Sequence, residues 1–229
     1  ALHLAEAGLD VVLLEAHRVG FGASGRNGGQ LGSGQRVAQD DLEGLTGAPE
    51  AAQLWQLGEE AKALVKALIA THGIDCDLKP GVAWTGSSPG DVAHLHDYAA
   101  LLERRYGYGH MEVLDAEDCR ALCPSPDYQG GIVDWDAAHL HPLNFALGLA
   151  RAARDAGVRI FEGTQVHHVE ERQPAVVRTD RGRVVADHVV LACNGYLGGL
   201  NHKVAARVMP INNFIAATAP LGDEAAKVL

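Results

Sequence analysis

The chain has 229 residues, enough for one large domain or two interleaved ones around a real core. With 47% hydrophobic and 21% charged residues, it has the composition of an ordinary soluble globular protein. Its 19 basic residues against 29 acidic ones give a formal net charge of −10 with no basic stripe, which argues against nucleic acid as a partner.

The first residues, "ALHLAEAG", read as the middle and end of a helix without an N-cap, and Gly8 stands where a left-handed C-cap glycine belongs. "LDVVLLE" follows as a short apolar run of parallel-strand type ending at Glu15. A glycine-rich loop then runs to about Gly34. From Pro49 to Thr71, Leu54, Leu57, Ala61, Leu64, Val65 and Leu68 step by three or four residues and predict a long amphipathic helix. Gly81 to Gly86 reads as a strand, and "SSPGD" as a turn whose Asp91 caps a helix over about 92–106. Asp115 holds a similar capping position before a shorter helix.

Tyr128 to Pro142 alternates around two glycines, as strand, bend and strand would. A helix with Pro142 in its first turn and Gly157 closing it comes next. Strands then follow in quick succession: "VRIFEG", "TQVHHVEER", "AVVRTD" and "RVVADHVVLACN", the last two joined by a hairpin turn at Asp180-Arg181-Gly182. "RVMPINNFIAATAPL" reads as a last strand-rich piece, and "LGDEAAKVL" stops inside a helical pattern. The expected fold class is α/β with an α+β insert, and the chain is expected to be truncated at both ends.

Four residue groups carry candidate chemistry. Glu15, a carboxylate at the C-terminal end of a parallel strand, is either a solvated strand end or an acceptor for ribose hydroxyls of a dinucleotide. Gly20, Gly22, Ala23, Ser24, Gly25, Gly28 and Gly29 form either a surface loop or a bare-backbone cradle for an anionic ligand, with Ser24 and Arg26 as donors. His139 and His141, on a strand, would share a face; they are weak catalytic candidates, and without a third ligand no metal is expected. Trp84 and Trp135 read as core residues, with lining a substrate pocket as the alternative, and Asp134 and Asp136 as turn or edge residues or as attractors of a substrate ammonium. Cys76, Cys119, Cys123 and Cys193 read as reduced thiols of a cytoplasmic protein, and no signal peptide or membrane-spanning stretch is seen.

"LHLAEAGLDVVLLEAHRVGFGASGRNGGQL" resembles the beginning of FAD-dependent amine oxidoreductases of the D-amino-acid oxidase superfamily, in particular the gamma-glutamylputrescine oxidoreductase branch. The similarity continues through "IDCDLKPG", "HLHPLNFALGLARAA", "PAVVRTDRG" and "NGYLG". The resemblance implies a Rossmann-type FAD-binding domain from discontinuous segments, 1–80 and 142–207, without its N-terminal glycine box. A substrate domain with an antiparallel sheet would take 81–141 and begin again over 208–229.

By the same resemblance Glu15 would hold the adenosine ribose, with Ala16 beside it and Arg18 by the adenine. Ala23, Ser24 and Gly25 would meet the pyrophosphate, while Arg26, Asn27, Gly28, Gly29 and Gln30 would run toward the isoalloxazine ring. Val166 would offer strand backbone to the adenine, and Ala192, Asn194 and Gly195 would form a turn closing over the FAD. Asn27 occupies the place where some relatives attach FAD through a histidine, so FAD is expected to be non-covalent. The implied reaction is hydride transfer from the carbon beside a substrate amine, giving an imine that hydrolyses, with dioxygen as acceptor. A gamma-glutamylated amine is the favoured substrate, a glycine- or sarcosine-type amino acid the alternative, and a non-catalytic FAD- or nucleotide-binding module the reading of another class.

Overall fold

The computed structural model describes residues 1–220 and Gly222. In chain order the first elements are α1 (Leu2–Glu6), β1 (Val12–Leu14), β2 (Gln30–Leu31), α2 (Gln39–Thr46), α3 (Ala48–Thr71), β3 (Lys79–Gly86), α4 (Pro89–Tyr106) and β4 (Met111–Leu114). Then come α5 (Ala116–Leu122), β5 (Gly130–His139), α6 (Pro142–Asp155), β6 (Arg159–Phe161), β7 (Val166–Glu170), β8 (Ala175–Thr179), β9 (Gly182–Ala186) and α7 (His202–Ala205). Short 3-10 turns lie at Ala23–Gly25 and Asn194–Tyr196. Two compact units divide these elements: Ala1–Asn27 with Pro142–Ala216, and a second whose elements all lie within Gly28–His141.

In the first unit β1 and β6 pair in parallel, Val12 to Leu14 against Arg159 to Phe161. α6 starts at Pro142, buries Gly148, Ala150, Ala152 and Ala153, and packs against α1 and, through Leu143 and Ala146, against the glycine-rich loop. The Arg159 guanidinium clasps both Asp10 carboxylate oxygens at 2.7 and 2.8 Å, at the entrance to the strand pair. β7, β8 and β9 make an antiparallel meander, with Asp180 and Arg181 as the tight turn between the last two.

The second unit is organised on β5. β3 runs antiparallel along one edge from Lys79 opposite His139 to Gly86 opposite Gly130, with a bulge between Pro80 and Val82. The other edge is shared: β4 pairs with Gly131 to Asp134, and β2 with Ala138 and His139. Alternation along β5 puts Ile132 and Asp134 on one face and Val133 and Trp135 on the other. Leu114, Cys119 and Val133 form one buried cluster, and Trp55, Leu102 and Tyr108 another.

Several sequence expectations are corrected. Ser88, not Asp91, is the N-cap of α4: Ser88 Oγ accepts the Asp91 N–H at 3.2 Å, and Asp91 returns a carboxylate oxygen to the Ser88 N–H at 3.0 Å. Asp115 does cap α5, accepting from the Glu117 and Asp118 amides, and these hold its carboxyl below the usual range. β5 is unbroken, because β3 pairs with it from end to end, and His141 lies beyond it. α2 was not expected; it lies in the polar stretch after the glycine-rich loop, with Asp40 and Asp41 in its first turn.

The buried stripe of α3 is Ala51, Trp55, Lys62 and Ile69, while Leu57 and Leu64 of the predicted apolar stripe are exposed. Trp135 is likewise 47% exposed and donates its indole N–H to Glu112 at 2.6 Å, so it is not a core residue. Val189 to Leu191 and residues 207–220 form no strand, because no neighbouring strand pairs with them among the described residues. Most of "LGDEAAKVL" lies outside the described residues. All four cysteines are free, with Cys76 and Cys119 buried.

Candidate functional site

β1 delivers Glu15 to its C-terminal end, half-buried. One carboxylate oxygen accepts the His17 amide at 2.8 Å, and the other has no partner among the described residues. Residues 162–164 close against the same corner. Thr164 N–H donates to Glu15 O at 2.8 Å, Gly163 N–H to His17 O at 2.7 Å, and Val19 N–H to Glu162 Oε1 at 2.7 Å. Val166 follows two residues later, at the start of β7.

The loop beyond this corner is built by close approach. A Cβ on Gly25 would stand 2.1 Å from the Gly20 carbonyl oxygen, and one on Gly20 would stand 2.6 Å from Leu143 of α6. Asn27 fastens the loop's turn by donating to the carbonyls of Ala23 at 2.9 Å and Ser24 at 3.2 Å. Tyr196, in the 3-10 turn that also carries Asn194 and Gly195, lies beside Gly22, where an added Cβ would meet its ring at 3.3 Å. Glu15, Ala16, Arg18, Ala23 to Asn27, Val166, Asn194 and Gly195 all belong to the first unit, and Ala192 is exposed just before the turn at Asn194.

Ser24 and Arg26 are exposed. The Arg26 guanidinium rests over the Phe21 ring at 4.3 Å, and its donors make no hydrogen bond among the described residues. An unspent carboxylate oxygen for ribose hydroxyls, a short helical turn whose first amides lack intrahelical partners, and unspent cationic donors suit an adenine dinucleotide.

Gly28, Gly29 and Gln30 belong to the second unit. Gly29 O accepts from Leu140 N–H at 2.9 Å, and Gln30 stands opposite His139. His139 Nδ1 lies 3.0 Å from the Gly81 carbonyl oxygen and donates to it, because that oxygen only accepts, so its Nε2 keeps the lone pair in the neutral form. His141 gives its backbone N–H to Cys76 O at 2.7 Å. A shared strand face for these two histidines is not what the structure has. Among the described residues no cluster of His, Cys, Asp and Glu could hold a metal ion, and no helix is long and apolar enough to cross a membrane.

A buried polar cluster in the second unit escapes the periodicity argument. Lys62, 3% exposed, meets Glu59 at 2.7 Å and Asp136 at 2.6 Å and donates to Ser33 Oγ at 2.7 Å and Tyr108 Oη at 3.1 Å. Tyr108 donates to Asp134 at 2.7 Å. Burial first, then the Asp134 carboxylate, push the phenol of Tyr108 far up, against the opposing pull of the Ser33 hydroxyl. Burial also works against ionisation of Asp136, but Lys62 and Lys66 together outweigh it and hold its carboxyl below the usual range. Asp134 and Asp136 are thus engaged by partners inside the protein rather than offered to a substrate ammonium. The sequence signal was a lysine in the row Ala51, Trp55, Gly58, Lys62 and Ile69, where an apolar residue is the norm.

The family model described as DAO, FAD dependent oxidoreductase, matches residues 1–228. The chain belongs to this family. It is 40% identical over 230 residues to the gamma-glutamylputrescine oxidoreductase of Escherichia coli, covering 100% of this chain and 54% of that protein. It is also 40% identical over 222 residues to a probable oxidoreductase, OrdL, of Rhizobium meliloti, covering 96% and 52%. The fold is that of the glycine oxidase of Geobacillus kaustophilus, with a TM-score of 0.70 at 22% identity over 89% of this chain and 54% of that one. The chain thus spans about half the length of the curated relatives it matches.

Proposed function

We propose that the full-length protein carrying this chain is an FAD-dependent amine oxidoreductase, with a gamma-glutamylated amine such as gamma-glutamylputrescine as substrate and dioxygen as electron acceptor. The observation that carries the cofactor half is the strand-end carboxylate of Glu15, of which one oxygen takes the His17 amide while the other has no partner among the described residues; the exposed Ser24 and Arg26 of the following loop add to it. The 40% identity to the gamma-glutamylputrescine oxidoreductase supports the substrate half.

In this reading Glu15 accepts from the adenosine ribose, and Arg18 and the Val166 backbone flank the adenine. Ala16 lines the ribose side. Ala23, Ser24 and Gly25 hold the pyrophosphate, and Arg26 to Gln30 lead toward the isoalloxazine ring. The turn at Ala192, Asn194 and Gly195 covers the cofactor. Asn27 is tied to the loop's own carbonyls, which suits a non-covalent site. FAD, when bound, supplies the acceptor for the hydride leaving the carbon beside the amine. The protein's task is to orient that carbon and receive the amine in its neutral form; His139, with its lone pair on Nε2, is the candidate for taking the ammonium proton.

The test is spectral. Purified full-length protein should carry visible flavin absorbance that bleaches without oxygen on adding gamma-glutamylputrescine, and returns with air. Bleaching by glycine or sarcosine instead moves the substrate to the amino-acid oxidase class. Flavin that no amine bleaches supports a binding module, and protein without flavin overturns the reading.

A further inference from the structure

α3 grips the segment immediately after β2. Gly34 N–H donates to Glu59 Oε1 at 3.1 Å, Lys62 Nζ donates to Ser33 Oγ at 2.7 Å, and the Gln35 amide donates to Leu54 O at 2.7 Å. The backbones nearly touch: a Cβ on Gly34 would stand 2.6 Å from the Trp55 ring, and one on Gly58 2.4 Å from Gly34 O. Ser33 Oγ is also 2.7 Å from Tyr108 Oη; with Lys62 donating to Ser33 and Tyr108 donating to Asp134, the Ser33 proton points to Tyr108. Asp134, 1% exposed, takes the Asp136 and Ala137 amides on the same oxygen, each at 3.1 Å.

Apolar side chains of the same volume would hold a loop to a helix without burying an ammonium group. What a buried polar network adds is direction, since its hydrogen bonds form only while Ser33, Tyr108 and the carboxylates keep their places around Lys62. The arrangement here is consequential because of what lies upstream. Gly29 to Leu31 are held by β5, through the Leu140 amide and the pairing of Gln30 and Leu31 with His139 and Ala138. Ser33 to Gln35 are held by α3. Gly32 is the single residue between the two anchors, and a Cβ there would meet nothing within 4 Å.

We propose that Lys62 is a positioning residue: acting through Ser33, it sets where Gly28 to Gln30 lie, and so how the flavin end of the cofactor is held. The functional half rests on the reading of Gly28 to Gln30 as flavin-facing. Lys66 provides the internal control, because it shares Asp136 with Lys62, at 2.8 Å, but makes no hydrogen bond or ion pair with residues 33–35.

The test uses the full-length protein with Ser33→Ala, Ser33→Thr, Lys62→Met, the double variant and Lys66→Met. In flavin-free protein, amide hydrogen exchange across residues 29–35 should rise at least tenfold in Ser33→Ala and Lys62→Met and stay at the parent rate in Lys66→Met. In flavin-loaded protein, the same two variants should shift the visible flavin spectrum and lose FAD at least tenfold faster, with Ser33→Thr close to the parent. The double variant should be no worse than Lys62→Met alone, because the two residues act in series. A folded Ser33→Ala protein with parental exchange overturns the proposal, whether or not Lys62→Met folds. Raised exchange with an unchanged spectrum and unchanged FAD retention overturns its functional half. A parent that takes up no FAD defeats the proposed cofactor instead, and the exchange comparison still judges the clamp.

Discussion

Two glycine-containing loops, one in each compact unit, are shaped by different means. The loop from Gly20 to Asn27 is held by its own backbone, with Gly25 against the Gly20 carbonyl and Asn27 fastening two carbonyls of the turn. The loop from Gly32 to Gln35 is held from outside, by Trp55, Glu59 and Lys62 of a helix that begins more than ten residues later. In the first, the side chains of Ser24 and Arg26 stay exposed, as a ligand-facing loop requires. In the second, the charge is consumed within the protein. A glycine-rich stretch is therefore not one signal: local closure leaves donors for a ligand, whereas clamping by a helix spends them.

The largest expected effect breaks the second loop. Lys62→Met removes the ammonium that Glu59, Asp136, Ser33 and Tyr108 share and leaves Asp136 to Lys66 alone, and urea unfolding should show a loss of about 3–5 kcal/mol. Next, Gly25→Ala breaks the first loop from within. Its methyl has no room beside Gly20 O, so stability should fall by about 1–3 kcal/mol and FAD retention with it.

Acid sharpens the contrast. The depressed Asp136 carboxyl contributes stability that is complete above its unfolded value, about 3.9, and is lost as pH falls through its lower folded value. The parent should therefore lose stability below about pH 4 more steeply than Asp136→Asn, measured by thermal unfolding across pH. The smallest effect belongs to the exposed Arg159–Asp10 pair: Arg159→Ala should change stability by less than about 1 kcal/mol.

These contrasts also mark how far the sequence could be read. β1, Glu15 and the loop were legible because the strand, its terminal carboxylate and the glycines are contiguous, and local closure needs no distant partner. Asp115 was legible for the same reason. Lys62 was not, because a lysine in an amphipathic helix is ordinarily solvated, and three of its four partners, Ser33, Tyr108 and Asp136, lie far along the chain. The stripe of α3 misled because hydrophobicity picked Leu57 and Leu64, while the surface facing Gly34 required Trp55 and Gly58. Val189 to Leu191 have strand composition but no paired neighbour among the described residues, and composition cannot supply one.

In the proposed function the Glu15 corner of the first unit holds the ribose end of FAD. The direct test is FAD titration of full-length apoprotein beside its Glu15→Gln variant, with unfolding of both apoproteins as the control. Glu15→Gln should bind FAD more weakly by about 1–3 kcal/mol, roughly five- to 150-fold, with apoprotein stability unchanged. Equal FAD affinity in the two proteins would contradict it.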